Sequence, residues 1–185
     1  MASVPRKRRE AESDEQVMKT RAPVWDLIEL LFFAYRDFVS DPDQVLAEFG
    51  FGRAHHRVLH FVCRNPGLNV ADLLDILKIT KQSLGRVLKQ LVDEGYVEQK
   101  EGANDRRQRL LFVTPKGENL AMRLAGLQTE RVTRALADLG PEAGEQARRF
   151  LIAMLDGDGR DGVLRLIGGR EGADNATRAA SAGQS

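Results

Sequence analysis

The stretch LNVADLLDILKITKQSLGRVLKQLVDEG, residues 68–95, decides how this chain is organised. Leu73, Leu74 and Leu77 stand at the three-and-four spacing that gathers apolar groups on one helix face, which predicts a helix over Val70–Lys78. Ile79 and Thr80 break it, and Thr80 is suited to cap a second helix over Lys81–Glu94. In that second helix Leu84, Val87, Leu88, Leu91 and Val92 form a stripe to be buried. Lys81, Gln82, Ser83, Gly85, Arg86 and Lys89 are left outside. Gly95 is a helix stop.

Working outward, Tyr96–Lys100 alternates as a strand and Arg109–Thr114 reads as another. A polar turn over Glu101–Gln108 is long enough to project. Helix, tight turn, helix with a polar outer face, then an arginine-tipped hairpin is the layout of a winged helix-turn-helix. The second helix fits the major groove of B-DNA. Thr80 at its start, with Lys81, Gln82, Ser83 and Arg86, is expected to reach base edges or flanking phosphates, and Lys89 to meet phosphate. Gly85 costs roughly 0.5–1 kcal/mol inside a helix. Either close backbone approach to the first helix or DNA, or no role at all, accounts for it. In the wing, Arg107 is expected to enter the minor groove, Arg106 and Arg109 to bind phosphate, and Asp105 to hold the tip by a charge-assisted bond.

These residues carry a resemblance. Asn69–Leu74, Ile79–Leu84, Leu91–Val97, and Asp105-Arg106-Arg107 followed by Val113–Gly117 are similar to the multiple antibiotic resistance regulator (MarR) family, whose wing carries a D-x-R signature. The match runs in order and length from Trp25 to Asp156. It implies an intertwined helical homodimer, repression as the default activity, and a small-effector cavity between dimer core and reader. Phe32, Tyr35, Arg36, His56 and His60 are the residues placed in that cavity. Some relatives sense oxidants with a cysteine, but those cysteines lie nearer the first helix than Cys63, which reads as core.

Charge distribution agrees with the reader. The chain has 185 residues and a formal net charge of +1, which marks nothing by itself. Arg53–Gly117 holds 12 Lys and Arg against 7 Asp and Glu, a local net of +5, while Trp25–Gly52 holds 1 against 6, a local net of −5. Positive charge gathers where phosphate would lie. A single cysteine rules out an intrachain disulfide framework and a multi-cysteine zinc site, and suits a cytoplasmic protein. The longest apolar run, Leu30–Tyr35, is far short of a membrane span, and Arg6–Arg9 is followed by acidic residues, unlike a signal peptide.

Residues 1–22 read as a disordered arm, whose basic run is a solvated tail or touches flanking DNA. A helix is expected from Pro23 to Ser40. Its stripe of Ile28, Leu31, Phe32, Tyr35, Phe38 and Val39 is joined by Leu27, Leu30, Phe33 and Ala34, too many apolar sides for one contact. That is the first argument for a homodimer. Trp25 reads as core or interface. Asp41–Gly52 is expected to be a loop around Asp41-Pro42-Asp43, with at most a short helical turn at Gln44–Phe49. Arg53–Arg64 is a helix packing through Val58, Leu59 and Val62. A long helix over Lys116–Leu139, a break at Gly140-Pro141 and a helix over Glu142–Leu155 follow, and Gly157–Ser185 is expected to be mobile but for one docked turn. The expected fold is mainly α with a small β-hairpin wing. The domains are the arm (1–22), a MarR-like domain (23–156) and the tail (157–185). Within that domain the reader spans about 53–117, and dimerisation helices at about 23–40 and 116–156 flank it.

The pair His56 and His60 at i,i+4 does not complete a metal site. No nucleophile stands with a base, no glycine loop cradles phosphate, and no carboxylate pair has a scaffold, so no enzyme, cofactor or metal is expected. The reading is a sequence-specific regulator of transcription, a repressor acting as a homodimer on palindromic double-stranded DNA and released by a small effector. Its rivals are a sequence-tolerant architectural DNA binder and a winged-helix protein-interaction module.

Overall fold

Residues 22–102 and 108–168 are described by a computed structural model. The elements run α1 Trp25–Ala47, α2 Arg53–Arg64, β1 Leu68–Asn69, α3 Val70–Leu77, α4 Lys81–Asp93, β2 Val97–Glu101, β3 Arg109–Val113, α5 Pro115–Ala137 and α6 Ala143–Ala153. A last helix, α7, covers residues 157–168. The fold is mainly helical with a three-stranded antiparallel sheet in the order β1-β3-β2, a winged helix-turn-helix with flanking helices. The chain divides into two units at Asp37–Phe38, inside α1.

The core of the second unit is built largely from the predicted stripes, joined by Leu46 from the expected loop and Leu111 from the wing. Leu46 of α1, Val58, Leu59 and Val62 of α2, Leu73 of α3, Leu84 and Leu91 of α4, Leu111 of β3 and Leu124 of α5 are fully buried. Burying each such side chain contributes about 1.5–3 kcal/mol. The wing strands pair from Val97↔Val113 to Glu101↔Arg109. The two residues of β1 add a third strand at Leu68↔Leu111 and Asn69↔Leu110, too short for alternation to reveal. On α5, Leu120, Ala121 and Leu124 are buried, whereas Met122, Val132 and, beyond its end, Leu139 are exposed. Arg123 binds Glu48 at 3.2 Å and Arg131 binds Asp41 at 2.8 Å, tying α5 to the second half of α1.

Three expectations are corrected. The loop expected over Asp41–Gly52 is helical as far as Ala47, with Pro42 inside α1. An internal proline costs roughly 3 kcal/mol. Val39, Pro42, Val45 and Leu46 recur at three-and-four spacing and are all buried, and at about 1.5–3 kcal/mol for each large side chain their burial offsets that cost. The tail expected to be mobile contains α7, whose Val163, Leu164 and Leu166 are half-buried despite Gly157, Gly159 and Gly162. Arg160 fastens it by donating to the carbonyls of Ala153 (3.3 Å) and Leu155 (2.8 Å). Trp25 is 64% exposed, so its reading as core fails.

The first unit is the amino-terminal part of α1. Trp25, Leu27, Leu30, Phe32, Phe33 and Tyr35 are all exposed, and Arg36 stands 5.0 Å over the Phe33 ring while pairing with Asp37 at 2.8 Å.

Candidate nucleic-acid interface

Local chemistry sets α4 in place at both ends. Lys78 closes α3 in the left-handed region (φ 50°), and Arg57 of α2 donates to the Leu77 carbonyl at 2.9 Å, satisfying an orphan acceptor of that helix end. Thr80 then caps α4, its Oγ1 accepting the Ser83 amide at 3.1 Å and donating to the Ser83 hydroxyl at 2.9 Å. At the far end Gly95 takes φ +74°. Thr114 donates to the Gly95 carbonyl at 2.7 Å, and Lys116 donates to the Glu94 carbonyl at 2.9 Å while standing 4.1 Å over the Tyr96 ring. Thr114 also accepts the Gly117 amide at 3.1 Å, so one hydroxyl caps α5 and holds the end of α4.

Between these clamps Leu84, Val87, Leu88 and Leu91 are buried, and Lys81, Gln82, Ser83, Gly85, Arg86 and Lys89 are all exposed. Lys89 pairs with Asp93 one turn on, and among the described residues Lys81 and Arg86 are the cations of that face without an ion pair. A Cβ added to Gly85 would meet nothing, which removes close approach to another helix as its reason.

In the wing, Arg109 pairs across the strands with Glu101 at 2.9 Å. Lys100 pairs with Glu98 at 2.7 Å and lies 4.8 Å over the Phe112 ring. Gly102 and Gln108 close the base of the tip with a 3.1 Å bond. Asp105, Arg106 and Arg107 lie outside the described residues.

The proposed cavity residues divide between two elements. Phe32, Tyr35 and Arg36 are exposed on α1, whereas His56 and His60 are half-buried on α2. Burial lowers the His56 pKa, and Asp43 works against it. His60 meets Phe61 edge-on at 5.1 Å. Cys63 packs half-buried against the core, and burial, with Glu118 adding to it, raises its thiol pKa, the opposite of what a reactive thiol needs. Among the described residues no group of three or more His, Cys, Asp or Glu side chains could hold a metal, and no helix is long and apolar enough to cross a membrane.

Sequence reading overlooked Arg57, Lys116 and the partners of His55. The Thr-Pro step at 114–115 was a visible signal, since Thr at the cap and Pro in the first turn start a helix.

This arrangement is that of a helix-turn-helix protein carrying a wing. The family model described as MarR family matches residues 49–108. The HTH-type transcriptional regulator PetP of Rhodobacter capsulatus is 45% identical over 144 residues, 78% of this chain and 82% of that protein. The chain belongs to the MarR family, and it is a DNA-binding regulator of transcription. Two solved structures share the fold. Streptococcus pneumoniae FabT in complex with DNA has a TM-score of 0.64 at 16% identity, covering 71% of this chain and 94% of that one. Mycobacterium tuberculosis Rv2887 in complex with p-aminosalicylic acid has a TM-score of 0.51 at 25% identity, covering 70% and 96%.

Proposed function

We propose that this protein is a cytoplasmic homodimeric repressor that reads an inverted repeat with two copies of α4 and the wing. The observation that carries the reading is the exposed face of α4. Lys81, Gln82, Ser83 and Arg86 stand outward on a helix clamped at both ends, with Lys81 and Arg86 in no ion pair among the described residues. Arg is suited to guanine and Gln to adenine in the major groove, with Thr80, Lys89 and Arg109, and from the wing Asp105, Arg106 and Arg107, as the further contacts of the reading. The reader occupies about residues 53–117, and helices before and after it form the dimer.

The homodimer accounts for apolar surface that one chain leaves in water: Leu30, Phe32 and Phe33 on α1, and Phe150, Leu151 and Met154 on and just after α6. Along α5, Ala125, Gly126, Thr129 and Thr133 line an open groove whose small side chains allow close approach of a second helix. Two-fold symmetry then sets half-sites about 34–36 Å apart. Bound p-aminosalicylic acid in Rv2887 supports a small aromatic acid as the effector class, with His56 and His60 of the second unit as its candidate contacts. Such a ligand acts only if it binds one spacing of the two readers more tightly than another.

Selection of random duplexes with the purified protein tests the reading. Enrichment of one inverted repeat is expected. Equal retention of all duplexes, with a steep salt slope, would leave an architectural binder instead.

A further inference from the structure

His55 sits in the first turn of α2 and joins three elements. Its Nδ1 accepts the backbone N–H of Gly52 at 3.1 Å, taking the place that Glu or Gln fills in a capping box. A ring nitrogen that accepts carries no proton, so the proton is on Nε2, which lies 2.9 Å from Oε1 of Gln90 on α4 and donates to it. The Gln90 amide donates onward to Glu94 at 2.9 Å. The imidazole stacks on Phe51 with centroids 4.7 Å apart and planes 9° from parallel, and Phe51 meets Tyr96 edge-on at 5.1 Å. Tyr96 is the ring under Lys116, which binds the last turn of α4. A closed circuit therefore surrounds the carboxyl end of the recognition helix, and His55 is its one titratable imidazole.

We propose that His55 is a positioning residue for DNA binding: neutral, with its proton on Nε2, it ties the start of α2 to Gln90 on α4, and a second proton at Nδ1 releases that tie. The inference rests on the reading of α4 as the DNA-contacting helix. Protonated Nδ1 would turn an N–H toward the Gly52 N–H, and the new cation would lie at the positive end of the α2 dipole. Charged groups bear on it from several sides. On α2 these are Arg53 and His56, on α1 Asp43, paired to Arg53 at 2.8 Å, and just beyond α1 Glu48, paired to Arg123. Glu94 is reached through Gln90, and Lys116 stands behind Tyr96. The elements α3 and β3 meet the core with apolar side chains such as Leu73, Leu77 and Leu111. The helix end and the Gly52 amide both oppose the contact that a second proton at Nδ1 would make.

The test is nitrogen-15 NMR of the full chain without DNA, followed by DNA affinity against pH. At pH about 7.5 the ring should report the Nε2–H tautomer, and on acidification to pH about 5.5 the Gly52 and Gln90 amides should shift with the protonation of His55. Affinity for the best duplex should fall roughly tenfold over that range, a loss of about 1.4 kcal/mol. His55→Gln keeps an acceptor at the capping position and should bind at neutral pH with a flattened profile. An Nδ1–H tautomer, or Gly52 and Gln90 amides that follow His56 instead, overturns the proposal even if the variant does not fold. So does a His55→Gln profile that tracks the parent. Absence of binding to any duplex at low salt and neutral pH instead overturns the DNA reading itself, and the positioning role with it.

Discussion

Gly117, in the first turn of α5, lies against the carbonyl of Tyr96, so close that a Cβ there would fall far inside van der Waals contact with that oxygen. Both neighbours of the contact are backbone, and Thr114 and Lys116 fasten the same junction to the end of α4. The end of α4 and the first turn of α5 are thus joined without slack. Replacing Gly117 with Ala should force the two backbones apart and destabilise the fold by roughly 1–3 kcal/mol. A urea midpoint equal to that of the parent would show that the junction yields.

Gly85 presents the opposite case. It lies in mid-helix with open space where a Cβ would stand, so Gly85→Ala should stabilise the protein by about 0.5–1 kcal/mol. Thermal unfolding measures this. Weakened DNA binding by the stabilised variant would mean that the α4 backbone approaches the duplex at this point.

Base and phosphate contacts can be told apart by variant. Arg86→Ala should lower affinity for the selected duplex more than for random DNA, whereas loss of a phosphate contact at Lys81 should weaken both alike and reduce the salt slope by about 1. Arg107→Ala should weaken specific binding about tenfold, near 1.4 kcal/mol, with the dimer intact. Unchanged binding by the last variant would remove the wing from the mechanism.

Trp25 is the single tryptophan and is largely exposed in one chain. If a second copy covers this part of α1, its emission should be blue-shifted at high concentration and move to the red on dilution. Concentration-independent emission at the wavelength of exposed indole, with a monomer mass in sedimentation, would contradict the dimer.

His56 carries a stability prediction. Burial lowers its pKa, so the folded state holds fewer protons than the unfolded one around the ordinary histidine value of about 6.5. Its contribution is complete above that value and is lost as pH falls through it toward the lower folded pKa. Urea midpoints should therefore drop on acidification from pH about 7.5 to 5.5, and His56→Gln should flatten that drop. An identical slope in the variant would assign the loss to other groups.

The exposed side of α4 was legible because helical periodicity is written in neighbouring residues. Leu84, Val87, Leu88 and Leu91 must go inward, and Lys81, Gln82, Ser83 and Arg86 are what remains. Thr80 and Gly95 mark its ends by local hydrogen bonding and positive φ. The course of α1 through Pro42 was not legible, because Asp-Pro-Asp carries strong local turn chemistry. What overrides it is burial of Val39, Val45 and Leu46. The glycines at 157, 159 and 162 misled in the same way about α7, which Arg160 holds from outside its own turn.

The sequence by itself determined the order of the helices up to α6 and the two wing strands, the helix-turn-helix and the outward cations, since spacing, caps and stops act within a few residues. Only the tertiary structure decided that α1 continues past a proline, that Gly117 must lack a side chain, and that His55 meets Gln90. Those outcomes depend on which distant groups pack together, and packing energy is shared across residues that local pattern never places side by side.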